Sequence, residues 1–578
     1  MKDLKNLMSP AVILIFFIFL TIFVNFNLIR DLESQVPTLG LSFLYLNDVN
    51  HLTKKFFDVN NFSFSNEFVF YPIGREINEG WIIILFIMII NLFINDIVIS
   101  YNILYIFSTL LSLIFTYKLV KYYTDDRLVS LYGSVAFSLS NFHFAHSDIL
   151  PIYHFEFLPL VVYYVVYYID SPNPKNYILF MVSYLMNALT SWYYATMATF
   201  VVMIILIVHT ISQVRKNKNK INKFKTLTFL ILGLGITWIA LYNISPYANF
   251  NEDKLKTFSR DEYKIEYSAD LTNYFLPPPS HIFFGRFTEG IYKKYTGNSA
   301  ENSLYIGLSN IFLCIVAIIF LKNRNIYFIS LISFIFLVLS LGPLLKIGGD
   351  VTNIPLPLNL LKDIPPLSLG RALSRYGIIA ILFLLIVASF GLKRILSIKN
   401  KNFKLIILSL FLIFFVVDIH AGIPNPKKLP NVPSFYDNIK KEDNDTFTIL
   451  ETPFGWSCIY EYYQIKHEKY LIGGCGDRTW YDYIYNFSLK TPFLKEILLL
   501  SDNKKIQYYD LEDFNKTISN LRIKYVTVHK YNPKLLSYGV FVKDNRSEIL
   551  SYFINKTNLF SLVYEDEYLR AYIYKYLR

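Results

Sequence analysis

The chain has 578 residues, 53% hydrophobic and only 17% charged, with a mean hydropathy of +0.35, too little charge to cover a soluble protein of this size. Its net charge of +12 would suit a nucleic-acid binder, but the basic residues fall between apolar segments and act as topology determinants, which excludes nucleic acid as a partner. Three cysteines exclude a disulfide-dense scaffold and a four-cysteine metal site.

Residues 10–29 (PAVILIFFIFLTIFVNFNLI) follow the basic start MKDLK. The run is too long for a signal-peptide core and no A-x-A pattern follows, so it reads as a retained first helix with a cytoplasmic N-terminus. Further spans are expected near 98–119, 128–142, 154–169, 177–192, 193–212, 227–244, 303–321, 327–345, 376–392 and 404–419. That gives about eleven, several of them short against the usual requirement of about 17–25 residues. The stretch 81–94 (WIIILFIMIINLFI) is shorter still and is placed along the membrane surface. With that choice Lys118, Lys121, Arg127, Lys175, the run RKNKNKINKFK (215–225), Lys322, Arg324, Lys393, Arg394, Lys399, Lys401 and Lys404 all lie on the cytoplasmic side, as the positive-inside rule requires. The N-x-[ST] sequons at Asn61, Asn243, Asn444, Asn486, Asn515, Asn545 and Asn555 then fall outside or at the outer interface.

Most of what remains is on the outer side. Loop 30–80 is long and polar, loop 143–153 is rich in histidine, loop 245–302 mixes charges with Pro-Pro-Pro, and loop 346–375 is Pro-rich and ends in Arg371 and Arg375. The tail, 421–578, has strand-like runs (TFTILETPF, KYVTVHK, FSLVYEDEYLRAYIYKY) and helix-like ones near 488–500 and 545–555. The expected fold class is a mainly α membrane protein over 1–420, followed by a small extracytoplasmic α/β domain over 421–578.

Four groups have the residue types for chemistry. Asp31 and Glu33 follow the first helix at the outer water–lipid boundary, where a partly desolvated carboxylate can serve as a general base toward a hydroxyl; the bland reading is a solvated helix end. Residues 141–156 (NFHFAHSDILPIYHFE) bring His143, His146, Asp148, His154 and Glu156 into one short stretch, suited to a divalent metal ion or, equally, to histidines bonded to backbone or water. Trp192 and Tyr193 in SWYYA (191–195) are either interfacial anchors or a stacking platform for a sugar. Arg371 and Arg375, four residues apart on one helical face, break the cytoplasmic bias of the cations and suit phosphate binding; Arg260, Arg286, Lys293 and Lys294 are weaker companions. Cys458 and Cys475 share the outer domain and are candidates to pair, whereas Cys314 lies in a span. No P-loop, G-x-G-x-x-G, H-E-x-x-H or G-x-S-x-G occurs.

Together, Asp31, FVFYPIGREI (68–77), GSVAFSLSNFHFAHSDILPIYHFEFLPL (133–160), NALTSWYYA (187–195), IPLPLNLLKDIPPLSLGRALSRY (354–376), YYQIKHEKYLIGGCGDR (462–478) and LRIKYVTVH (521–529) resemble, in their order along most of the chain, the GT-C superfamily of polytopic glycosyltransferases. This superfamily includes protein mannosyltransferases, oligosaccharyltransferases and aminoarabinose transferases, and the chain is most similar to bacterial and archaeal members with a C-terminal outer domain. The resemblance implies interfacial helices in the first outer loop, a polyprenyl- or dolichyl-phosphate-linked sugar donor, a glycan or protein acceptor, and inversion at the anomeric carbon. It maps the catalytic acid onto Asp31, a second acid onto Asp148 or Glu156, and the donor phosphate onto Arg371 and Arg375, with His143, His146, Trp192 and Tyr193 around the sugar. Glu33 stands where a second Asp is expected, which leaves the base assignment open. The rival readings are a non-catalytic envelope assembly or anchoring protein, and a lipid or glycan transporter or flippase.

Overall fold

A computed structural model describes residues 9–56, 63–215, 220–244, 261–321, 323–361, 370–420, 425–442, 446–455, 457–476, 478–506, 510–537 and 540–576. Asn61, Asn444, Arg260, Lys216, Lys218 and Lys322 lie outside the described residues, as do parts of loops 245–302 and 346–375. In the sequons at Asn486, Asn515, Asn545 and Asn555 the asparagines are exposed, whereas Ser488, Thr517, Ser547 and Thr557 are buried.

Helices occupy every segment expected to span. They run Pro10–Val24 and Phe26–Arg30, Ile97–Thr124, Arg127–Ser138, Phe157–Asp170, Pro174–Thr190, Trp192–Arg215, Lys220–Ile244, Leu308–Phe320, Arg324–Ser340, Gly377–Leu396 and Lys401–His420. By length and composition three are long and apolar enough to cross a membrane: Ile97–Thr124, Trp192–Ile211 and Leu373–Leu396. Among the described residues, other helices expected to span, such as Phe157–Asp170, Leu308–Phe320 and Arg324–Ser340, are shorter than this criterion asks. Local chemistry sets the ends. Asp126 accepts from the backbone N–H groups of Leu128 and Val129 at 2.9 and 3.1 Å, satisfying donors that a helix start leaves free. Asn173 does the same for Asn176 at 2.9 Å, with Pro174 in the first turn.

The chain forms two compact units: Met1–Ile29 with Glu79–Ile83 and Ile103–Pro424, and Arg30–Asn78 with Ile84–Asn102 and Asn425–Arg578. In the first, Gly377–Leu396 is the central helix, buried over most of its length. Small residues bring its neighbours close: a Cβ on Gly391 would collide with the Leu313 carbonyl, and one on Gly133 with Ser389. Ser333 donates across to the Ala380 carbonyl at 2.8 Å. Close backbones and interhelical hydroxyl bonds are how helices associate where the solvent is itself apolar.

The second unit is an α/β structure. Its five-stranded mixed sheet places Thr448–Thr452 between Tyr470–Ile472 and Ile523–His529, both parallel to it; Leu569–Tyr574 and then Phe560–Glu565 continue the sheet antiparallel. Buried β-branched strands flanked by helices are the expected result of the tail's runs of Val, Ile, Thr and Tyr. Residues Arg30–Asn78 belong to this unit. Tyr71 donates its backbone N–H to the Leu471 carbonyl at 3.0 Å, and Phe43 stacks on Tyr462 with centroids 5.0 Å apart. Arg75, 3% exposed, bonds Asp48 at 2.5 Å and both Glu461 oxygens at 2.5 and 2.9 Å. Glu461 also accepts from the Cys475 backbone N–H, and Cys475 forms the disulfide with Cys458 that their shared domain suggested.

Candidate functional site

The clearest polar cluster in the first unit is built on segment 139–156. The helix expected over 128–142 stops at Ser138, and two one-turn helices follow, Asn141–Ala145 and Leu150–Tyr153, the second with proline in its first turn. These breaks turn His143, His146 and His154 inward, all 0% exposed. Each uses Nδ1 on a neighbour: His143 on the Ser138 carbonyl (2.6 Å), His146 on the Phe142 carbonyl (2.9 Å), His154 on Glu156 Oε1 (2.9 Å). A carbonyl only accepts, so Nδ1 of His143 and His146 carries the proton, and neutral rings present a bare Nε2. No hydrogen-bond partner meets Nε2 of any of the three among the described residues. Burial drives His143 down to about 3, which keeps it neutral.

His146 Nε2 faces Glu301 Oε2 at 3.7 Å. Glu301, buried in the loop before helix Leu308–Phe320, is the centre of the cluster. Arg375 Nε and Nη2 donate to its Oε1 at 2.8 and 2.7 Å, and Ser374 Oγ to its Oε2 at 2.5 Å. Burial works to raise this carboxyl, but the Arg375 charge and its hydrogen bonds outweigh it and hold it well below the ordinary range. Asp148 lies within the field of His146, Glu301 and Arg375, and burial raises its carboxyl. No other side chain hydrogen-bonds it among the described residues. A desolvated carboxylate with no side-chain hydrogen bond among the described residues is suited to taking a proton.

Tyr193 ties the arginine segment to the cluster. Its hydroxyl accepts from the backbone N–H groups of Arg371 and Ala372 at 3.2 and 3.1 Å, and the Arg375 guanidinium sits 4.5 Å from its ring centroid. Arg371 and Arg375 do not share a helical face as expected: Leu373–Tyr376 is a 3-10 turn and Arg371 precedes it. The two therefore differ. Arg375 is buried against Glu301, whereas the half-buried Arg371 guanidinium lies 5.4 Å from the Tyr267 ring centroid and meets no carboxylate among the described residues. Trp192 packs edge-on to Trp81, centroids 6.1 Å apart, and near Trp238.

Glu156 has both oxygens engaged: His154 holds Oε1 and Ser108 Oγ donates to Oε2 at 2.7 Å. Asp31 lies in the second unit, where Gln35 Nε2 at 2.9 Å and Arg30 at 3.4 Å both meet Oδ2 and leave Oδ1 free; Glu33 beside it is exposed. Among the described residues no group of three or more His, Cys, Asp or Glu is arranged to hold a metal ion, so no chemistry here is routed through one. Glu301 and Tyr267 were not singled out from sequence. Glu301 is one of many loop acids, and only its distant partner Arg375 distinguishes it.

The chain belongs to the family described as a domain of unknown function, DUF6311, whose model matches residues 84–420. No curated protein matches it. Among solved structures it is similar to arabinofuranosyltransferase AftD from Mycobacteria, with a TM-score of 0.58 at 10% identity, covering 97% of this chain and 41% of that one. An oligosaccharyltransferase of Archaeoglobus fulgidus tethered with an acceptor peptide gives 0.49 at 9% identity, covering 99% and 75%. ArnT from Cupriavidus metallidurans bound to undecaprenyl phosphate gives 0.47 at 9%, covering 98% of each chain. These neighbours are GT-C glycosyltransferases, and the likeness to AftD is one of fold.

Proposed function

We propose that this protein is a membrane glycosyltransferase that moves a sugar from a polyprenyl-phosphate-linked donor to a glycan or protein acceptor on the outer face. The observation that carries the reading is the Asp148 carboxylate, desolvated and without a side-chain hydrogen bond among the described residues, in the unit where Arg371 keeps a guanidinium free of carboxylates among the described residues. Asp148 takes the proton of the acceptor hydroxyl. The acceptor oxygen then attacks the anomeric carbon from the face opposite the phosphate. The sugar–phosphate bond breaks, and its electron pair leaves with the lipid phosphate, whose charge Arg371 stabilises through bidentate hydrogen bonds. Arg375 acts through position, since Glu301 already neutralises it. Asp31, with Oδ1 free, is the other candidate base.

The proposed topology keeps the N-terminus in the cytoplasm, 81–94 along the surface, and residues 421–578 outside as an α/β domain that binds acceptor. The Cys458–Cys475 disulfide supports that side, because disulfides persist in oxidising compartments. The test is consumption of lipid-linked sugar in membranes containing Asp148→Asn, Asp31→Asn or Arg371→Met. Loss of a general base costs about 10²–10⁴ in rate, so one of the two aspartate variants drops by that amount. Full turnover in both would remove the base assignment, and full turnover in Arg371→Met would remove the phosphate site.

A further inference from the structure

The loop ahead of helix Leu308–Phe320 contains an apolar protrusion that the proposed chemistry does not use. Ile282, Phe283 and Phe287 are 60, 56 and 81% exposed, although they sit on a firmly built segment. His281, 4% exposed, accepts at Nδ1 from the backbone N–H groups of Phe283 and Phe284 at 3.3 and 3.2 Å, and its ring faces Asp418 at 3.6 Å. The helix Gly285–Tyr292 starts hard against the proline turn, where a Cβ on Gly285 would collide with the Pro279 carbonyl. Thr288 is buried, and Tyr292 donates to the Leu276 carbonyl at 3.1 Å. The anchors point inward and the large apolar side chains point out, so the exposure is built in.

We infer that this protrusion is a docking surface for an anionic phospholipid bilayer, lying at headgroup level with Ile282, Phe283 and Phe287 inserted. Two observations fix the occupant. Arg286, Lys293 and Lys294 flank the apolar residues against a single acid, Glu289, which pairs with Lys293 at 2.7 Å; net positive charge beside an apolar face matches anionic headgroups. The segment leads into helix Leu308–Phe320, whose Phe312, Ile315, Ile319 and Phe320 are 46, 50, 61 and 61% exposed, as a row facing acyl chains requires.

The test uses the full chain with Cys314→Ser, the disulfide intact, and Phe287→Cys or Ile282→Cys carrying an environment-sensitive fluorophore. The protein is reconstituted in vesicles of phosphatidylcholine with a minority of phosphatidylglycerol, with or without bromine on the upper acyl chain. Retention of the native gel-filtration volume shows that each labelled variant is folded. A probe buried about 5–10 Å into the headgroup–acyl boundary loses emission at least about twofold in the brominated lipid, and more with phosphatidylglycerol than without it. No quenching at either position overturns the assignment. Quenching that requires added polyprenyl phosphate overturns it in favour of the donor's tail, and quenching indifferent to phosphatidylglycerol overturns the anionic specificity.

Discussion

Removing Glu301 is expected to be more damaging than removing both Glu301 and its partner. In Glu301→Gln the Arg375 guanidinium, 5% exposed, loses the anion that it meets at 2.8 and 2.7 Å, and Ser374 Oγ loses its charged acceptor. Unpairing one member of a buried ion pair costs about 3–5 kcal/mol, in line with about 4 kcal/mol for unit charges near 4 Å at an effective dielectric of 20. Arg375→Met removes the stranded charge, so the double variant recovers part of that loss. The assay is reversible denaturation in mixed micelles for the wild type, both single variants and the double variant. If the two effects add, leaving a coupling below about 0.5 kcal/mol, the pair is not the strut described above. The pH dependence has a definite sign. Because the carboxyl is held below its ordinary 4.5 in the fold, the stabilisation is complete above that value and is lost as pH falls through the lower folded value.

Three further outcomes follow from the geometry. Glu156→Gln keeps lipid-linked sugar turnover within about tenfold, because its oxygens are already committed to His154 and Ser108, whereas loss of a base costs far more; a base-sized drop in Glu156→Gln would move the base to that residue. Lys346, 2% exposed, donates to Thr296 at 2.8 Å and is pushed down from 10.5 to about 8 by burial. Between those values the unfolded chain holds a proton that the folded chain has shed, so stability rises by about 3 kcal/mol from pH 8 to 10.5. Lys346→Met should flatten that rise in denaturation midpoints, and an unchanged slope would refute the cause. Reducing Cys458–Cys475, or replacing both with Ser, removes a cross-link over a separation of 17 residues and should cost about 3 kcal/mol, read as a fall in the urea midpoint of the tail's unit.

The helical segments were legible because each is a long apolar run, and the tail strands because Val, Ile, Thr and Tyr cluster in short stretches. Helix ends were not, since a cap or a break such as Ser138 is a local event inside an apolar run. The histidine loop was found by its density of ligating residues, although density did not reveal that every Nδ1 would be spent on a neighbour. Arg371 and Arg375 looked equivalent four residues apart. They separated only when the 3-10 turn and Glu301, 74 residues upstream of Arg375, came into view. The docking of loop 30–78 onto the tail was likewise invisible, because a contact between distant segments leaves no periodic trace in either.

That docking bears on how the protein is made. Arg75 and Glu461 are 386 residues apart, so at about 5–20 residues per second the arginine leaves the ribosome roughly 20–80 s before its acceptor is synthesised. Throughout that interval a guanidinium destined for a sealed interior has Asp48, but not Glu461, already synthesised as a partner. The buried cluster, and the Cys458–Cys475 disulfide beside it, are thus completed only when the last strands of the sheet arrive.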